Sequence, residues 1–217
     1  MSTTSPPRRT GGWEATTLRL LTYPANIVLG GLVAFVLAVP LVTLLPVAVA
    51  LARALSVWHV QGDDAVVTSL LRELRATWRR TWRAGLVVGV AVALLVIDVL
   101  FLLSRFATSG AGLAALLVGA AVPVACALLL MLLLVPVSSS RDREGDLRSW
   151  AGHAATLVVG SPGRALLVLV LAAAVVGICV VLPTIGPFVL LSLPLDLAVR
   201  TWPAREEEPG DLVGDTE

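Results

Sequence analysis

The stretch from Asn26 to Arg83 limits what this chain can become more than any other. It opens with NIVLGGLVAFVLAVPLVTLLPVAVALARALSVW, an apolar block broken by Pro40 and Pro46. It then runs into DDAVVTSLLRELRATWRRTWR, which is crowded with arginine. Proline cannot donate a hydrogen bond inside a helix, and its ring clashes with the preceding turn. The first part therefore describes helices that enter a membrane and bend there. In the second part Val67, Leu70, Leu71, Leu74, Trp78 and Trp82 recur at spacings of three and four. Arg72, Arg75, Arg79, Arg80 and Arg83 lie off that stripe. This pattern predicts an interfacial helix over residues 63–83, capped by Asp63, with its apolar face in the acyl boundary and its arginines toward phosphate headgroups. The rival reading is a soluble regulatory helix that docks on a partner. The membrane spans close on either side favour the lipid surface.

Composition carries the same message. The chain has 217 residues, of which 57% are hydrophobic and 14% charged. Its mean hydropathy is +0.91. A soluble domain would be about 45–50% apolar and about 25% charged. The expected fold class is all-α: a polytopic α-helical membrane protein with five or six hydrophobic segments and one or two interfacial amphipathic helices. A net charge of +1 gives no reason to expect a nucleic-acid partner. Cys126 and Cys179 sit inside apolar runs with no CxxC or metal spacing, and read as small apolar fillers.

Residues 1–12 read as a disordered tail on the cytoplasmic side, and 203–217 as an acidic disordered tail. Between them lies one membrane domain, residues 13–202. Its expected spans are about 25–39, 41–58, 84–104, 111–136, 165–182 and 188–202. A second interfacial helix is expected from Trp150 to Val159. Two routes are open for the first block. Residues 25–45 either cross once with a kink, or the chain reverses at Pro40 and returns through Leu41–Trp58. Arginine near span ends favours the cytoplasm, and the reversal puts every arginine cluster on one side. The reversal is the preferred reading, with both termini cytoplasmic. A similar reversal is expected at PTIGP, between Pro183 and Pro187. Trp58, Trp78, Trp82, Trp150 and Trp202 all fall at the inner ends of segments, where indole rings favour the headgroup level.

Little in the chain points to catalysis. It has no GxxxxGK[ST], no HExxH and no GxSxG, and His59 and His153 stand far apart. No enzyme activity, cofactor or metal is expected. Three polar features remain inside the apolar segments. Asp98 lies within a span, where a carboxylate is costly and faces the bundle interior as a rule. It reads as a bonded structural group or as a proton- or ion-coupling group, with Arg105 two turns further on. Asn26, the only asparagine, is placed to bond backbone freed by the proline breaks, or else to bind a ligand. Gly85 and Gly89 form a GxxxG pair that allows close helix approach.

The order of these motifs resembles the YesL family of bacterial membrane proteins, a domain family of unknown function. The similarity rests on NIVLGGLVAFVLAVPLVT with Asn26, Pro40 and Thr43, on the small-residue helix with Ala48 and Ala52, and on LLRELRATWRRTWR. It continues through LLVIDVLFL with Asp98, LLLVPVSSSRD around Pro136, and SPGRALLVLVL. It covers about residues 20–200. The chain departs from the family in its glycine-rich first span and in LLPVAVA, where a glycine would be expected after the threonine. The resemblance implies an inner-membrane protein of a bacterial cell. It also implies association with carbohydrate-uptake transport systems, and it supplies no catalytic residues. Two functional expectations follow. One is an accessory or regulator of a transport or sensing system, with the lipid bilayer and transporter subunits or another membrane protein as partners. The other is a small secondary transporter that uses Asp98 for ion or proton coupling.

Overall fold

Helix α1 (Gly12–Ala38) and helix α2 (Leu44–Gln61) form an antiparallel hairpin. The computed structural model from which this is read describes residues 12–61, 66–106 and 111–202. The two tails, the Asp63 cap and the loop after Phe106 lie outside the described residues. At the start of the hairpin the ring of Tyr23 stacks on Trp58, with centroids 5.5 Å apart and planes 19° from parallel. Such a contact between residues near opposite ends of the block requires the chain to turn back between them. The turn is Val39–Pro40 followed by a 3₁₀ segment, Leu41–Thr43. Pro40 ends α1, and the Thr43 hydroxyl reaches the carbonyl oxygens of Leu37 and Pro40. Pro46 lies in the first turn of α2, where no intrahelical donor is lost. The reading with a single kinked crossing gives way to a reversal.

Helix α2 is the centre of the molecule. Every residue from Leu45 to Leu55 is buried, so the helix is enclosed on all sides, as an all-round apolar helix must be. Its neighbours are α1, α3 (Val66–Phe106), α4 (Ala111–Arg141) and α8 (Ser192–Thr201). Helix α5 (Leu147–Gly160) packs on α4. Asp146 caps α5 by accepting a bond from the Ser149 N–H at 2.9 Å. Helix α6 (Pro162–Val181) buries Ala165, Val168, Ala172, Val175 and Cys179 along one stripe. After Pro183 the chain runs back along α6 as two short pieces, α7 (Gly186–Val189) and α8. Gly186 lies beside Cys179, and the Trp202 indole N–H donates to Ser161 Oγ at 3.1 Å, so the return covers the length of α6. Pro187 stands at the start of α7, and the expected return 188–202 is thus made as a broken helix.

Among the described residues four helices are long and apolar enough to cross a membrane: Leu41–Val60, Val66–Leu102, Ala121–Arg141 and Pro162–Val181. Tyr23–Ala38 is a shorter apolar helix. All-α polytopic architecture is what the chain adopts, with no strand among the described residues. Helix α3 differs from expectation. The segments 63–83 and 84–104 were expected to be separate, yet a single helix of 41 residues runs through both. Its polarity changes at Ala84, but nothing there breaks a helix. At about 61 Å it is roughly twice the thickness of a hydrocarbon core.

The face of α3 that enters the bundle is also not the apolar one. Val66, Ser69, Leu70, Thr77, Thr81, Gly85 and Gly89 are buried, while Leu71, Trp78 and Trp82 are exposed. Without a hydrophobic force between helices in lipid, close packing favours small and hydroxyl side chains at the contact. Gly85 and Gly89 rest on the hairpin turn. A Cβ on Gly89 would stand 2.7 Å from the Leu41 carbonyl oxygen, and one on Gly85 would stand 2.8 Å from Pro46 Cδ. Residues 90–106 therefore continue beyond the turn, and most of their described side chains are exposed.

Candidate functional site

Two buried polar centres lie away from the hairpin turn, the first midway along α2 and the second near its far end. The first is built on Arg53. A guanidinium on the central helix is only 4% exposed, and it is held by three different elements. Its Nη1 lies 3.5 Å from Glu73 Oε2 on α3. Its Nη2 donates to the Arg143 carbonyl oxygen at 3.2 Å, and its Cζ lies 5.2 Å from the centroid of the Trp150 ring. Arg143 reaches the other Glu73 oxygen at 3.5 Å. Trp150 in turn donates its indole N–H to the Asp142 carbonyl oxygen at 2.8 Å. A buried charge is tolerated only when paired and hydrogen-bonded. Here the arrangement fastens the α4–α5 loop to α2 and α3. Its chemistry is that of a clamp, with no nucleophile in it.

The second centre is built on Asp196 of α8, whose carboxylate is fully buried. Oδ2 accepts the Tyr23 hydroxyl at 2.7 Å and lies 3.1 Å from Arg200 Nε. Oδ1 lies 3.3 Å from His59 Nε2, but no group donates to it. The Arg200 guanidinium lies 4.7 Å above the Tyr23 ring. Helices α1, α2 and α8 each supply one wall. Tyr23 is fixed by its stack on Trp58, and Asp196 and Arg200 are one helical turn apart. The side chain of His59 is 27% exposed and that of Arg200 47%, so the centre is closed toward the core and open toward solvent.

The sequence candidates lie elsewhere. Asp98 is exposed on α3, beyond the hairpin turn, and faces away from the bundle. This corrects the inward orientation expected of it. The reason is that α3 is displaced along its axis: its contact face is spent on the turn by Gly89. Arg105's side chain lies outside the described residues. Asn26 is half-buried on α1, and its Nδ2 has no partner among the described residues. It therefore donates nothing to the backbone freed by Pro24 or Pro40. Arg72, Arg75, Trp78, Arg79, Arg80, Trp82 and Arg83 are all exposed on one helix. Trp150 and Trp202 are 0% and 4% exposed, so these two indoles are buried in protein. Among the described residues no group of His, Cys, Asp and Glu could hold a metal ion.

No family model, no curated protein and no solved structure matches the chain. The assignment of a role therefore rests on its own geometry. Sequence reasoning passed over Arg53, His59, Tyr23 and Asp196 as a group. Asp196 and Arg200 were visible as charges near the end of an apolar segment. Their pairing with residues more than a hundred positions away carries no local signal.

Proposed function

We propose that the chain is a non-catalytic membrane protein that binds and regulates another membrane protein, such as a subunit of a transport or sensing system. The observation that carries this reading is Asp98. Its carboxylate stands on an exposed apolar helix surface beside Leu94, Ile97 and Phe101, with no hydrogen bond or ion pair found among the described residues. A carboxylate in hydrocarbon is costly unless it is paired. A partner helix bearing an arginine, lysine or hydroxyl at that depth would supply the missing bond.

The resemblance to the YesL family agrees with this role and extends it toward carbohydrate uptake in a bacterial inner membrane. The arginines of α3 and of the 141–148 loop gather at one end of the bundle, and arginine near span ends favours the cytoplasm. That supports a cytoplasmic placement of this end and of both termini. The transporter reading placed its coupling carboxylate at Asp98, and it draws no support from a side chain on the outer surface.

Photo-crosslinking from Leu94 in native membranes, followed by purification, tests the proposal. A single membrane protein should be captured, and Asp98→Leu should reduce its yield about tenfold without lowering the abundance of the chain. Asp98→Asn should retain part of it, since an amide still bonds. Capture of lipid only, unchanged by either substitution, would overturn the reading.

A further inference from the structure

We infer that His59 and Asp196 form a proton-binding site in which one proton decides which partner Arg200 holds. The bonding at the imidazole fixes its tautomer. His59 Nδ1 lies 2.7 Å from the Leu55 carbonyl oxygen. A carbonyl oxygen only accepts, so Nδ1 carries hydrogen. In the neutral ring Nε2 is then a bare lone pair. It lies 3.3 Å from Asp196 Oδ1, which is also a lone pair, is buried, and receives no donor. Two acceptors face each other across a hydrogen-bond distance, and a buried acceptor left without a donor is destabilising. One proton between them removes the conflict.

Arg200 makes this site a switch. Its single Nε–H lies 3.2 Å from His59 Nε2 and 3.1 Å from Asp196 Oδ2. With the ring neutral, this hydrogen can satisfy Nε2, and Oδ1 stays bare. When Nε2 gains a proton it becomes a donor to Oδ1, and the Arg200 hydrogen goes to Oδ2 alone. Every acceptor in the centre is then used. The net charge of the cluster rises by one, and the only change of bonding is between α2 and α8. The charged or titratable groups bonded to the pair are Tyr23 from α1 and Arg200 from α8. Helices α4 and α6 also pack on α8, with Arg141 and Arg164 as their charged side chains. His59 lies at the surface of the bundle, its side chain 27% exposed, so a proton reaches it without crossing the core. This site is independent of the Asp98 surface and of any partner bound there.

The test uses the full chain in nanodiscs, with His59→Gln, Asp196→Asn and the control His153→Gln. Glutamine offers an N–H donor to Oδ1 at every pH, so His59→Gln mimics the protonated state. The native chain gains its His59–Asp196 bond only as pH falls. Its Tm should therefore lie below that of His59→Gln at pH 8, and the gap should close by about 2–4 °C at pH 5.5. The gap to His153→Gln should not change. In ¹⁵N-histidine spectra of the His153→Gln background, His59 is the only ring, and Nε2 should be the bare nitrogen of its neutral form. A constant gap between the native chain and His59→Gln overturns the proposal. So does a neutral His59 ring that carries its hydrogen on Nε2. Asp196→Asn should make the gap to His59→Gln independent of pH, and should it fail to fold, the comparison of the native chain with His59→Gln decides alone.

Discussion

A single methyl group at Gly31 should do more damage than most changes to the large side chains around it. Gly31 is buried in α1, where α1 meets the junction of α7 and α8. A Cβ there would fall onto the Phe188 carbonyl, 2.7 Å from its carbon, and 2.6 Å from Ser192 Oγ. Real Cβ atoms essentially never approach within 3.0 Å. The serine could rotate away, but the Phe188 carbonyl is backbone. Ser192 is also committed, since its hydroxyl donates to that same carbonyl at 2.9 Å. The helices must therefore part, by on the order of 1 Å, and a gap of that size forfeits a quarter to a half of the dispersion attraction across it. In lipid that attraction is the main force between helices. Overpacking of this kind costs about 1–3 kcal/mol. Gly177 on α6 is the matched control, because a Cβ there meets nothing within 4 Å. Gly177→Ala should be neutral, or stabilising by about 0.5–1 kcal/mol from helix preference alone. Equilibrium unfolding in mixed micelles gives both values against the native chain. If Gly31→Ala proves as stable as Gly177→Ala, α1 does not lie against α7 as described, and the argument from contact fails.

Arg53→Leu leaves Glu73 without its buried partner and should cost about 3–5 kcal/mol, while Arg53→Leu with Glu73→Leu should recover most of it in the same unfolding assay. With the native cysteines replaced by alanine, single cysteines at Val39 and at Glu144 should react from opposite faces of sealed vesicles. Labelling of both from one face would exclude the assigned ends. Arg79→Glu with Arg80→Glu should weaken attachment of the α3 surface to anionic lipid, by about 1 kcal/mol for each basic residue removed. Trp78→Ala with Trp82→Ala should weaken attachment to anionic and neutral lipid alike; fluorescence quenching by lipid-borne quenchers separates the two.

The all-α class and the position of the first reversal were legible because proline acts locally. Pro40 stops a helix whatever surrounds it, and Thr43 lies where its hydroxyl can close the turn. The join between the amphipathic and apolar parts of α3 was not legible as continuous helix. A change of polarity suggests a boundary, but helices end at backbone signals, and residues 83–86 contain only a tolerated glycine. The buried face of α3 was misread for a related reason. Apolar periodicity marks the face that avoids water, and in a bilayer that face can point at lipid. The row Glu73, Thr77, Thr81, Gly85 and Gly89, one residue every four, was the better guide to the protein contact. The Asp196 centre could not be read as a group, because its four members come from three helices and only the charges of Asp196 and Arg200 stood out in their segment.

The enclosure of α2 has a consequence for the order in which the protein is made. Arg53 of this helix finds its partners at Glu73, Arg143 and Trp150, all of which follow it in the chain. Until the last of these has been synthesised, a guanidinium sits on an apolar helix with its neighbours missing. On insertion scales such a residue costs about 2.5–3.5 kcal/mol at the middle of a membrane helix. Helix α2 must therefore wait, held at the interface or by the insertion machinery, until nearly a hundred further residues have followed it. Nascent chains stalled before Trp150 should leave α2 open to protease, and chains stalled past Trp202 should close over it.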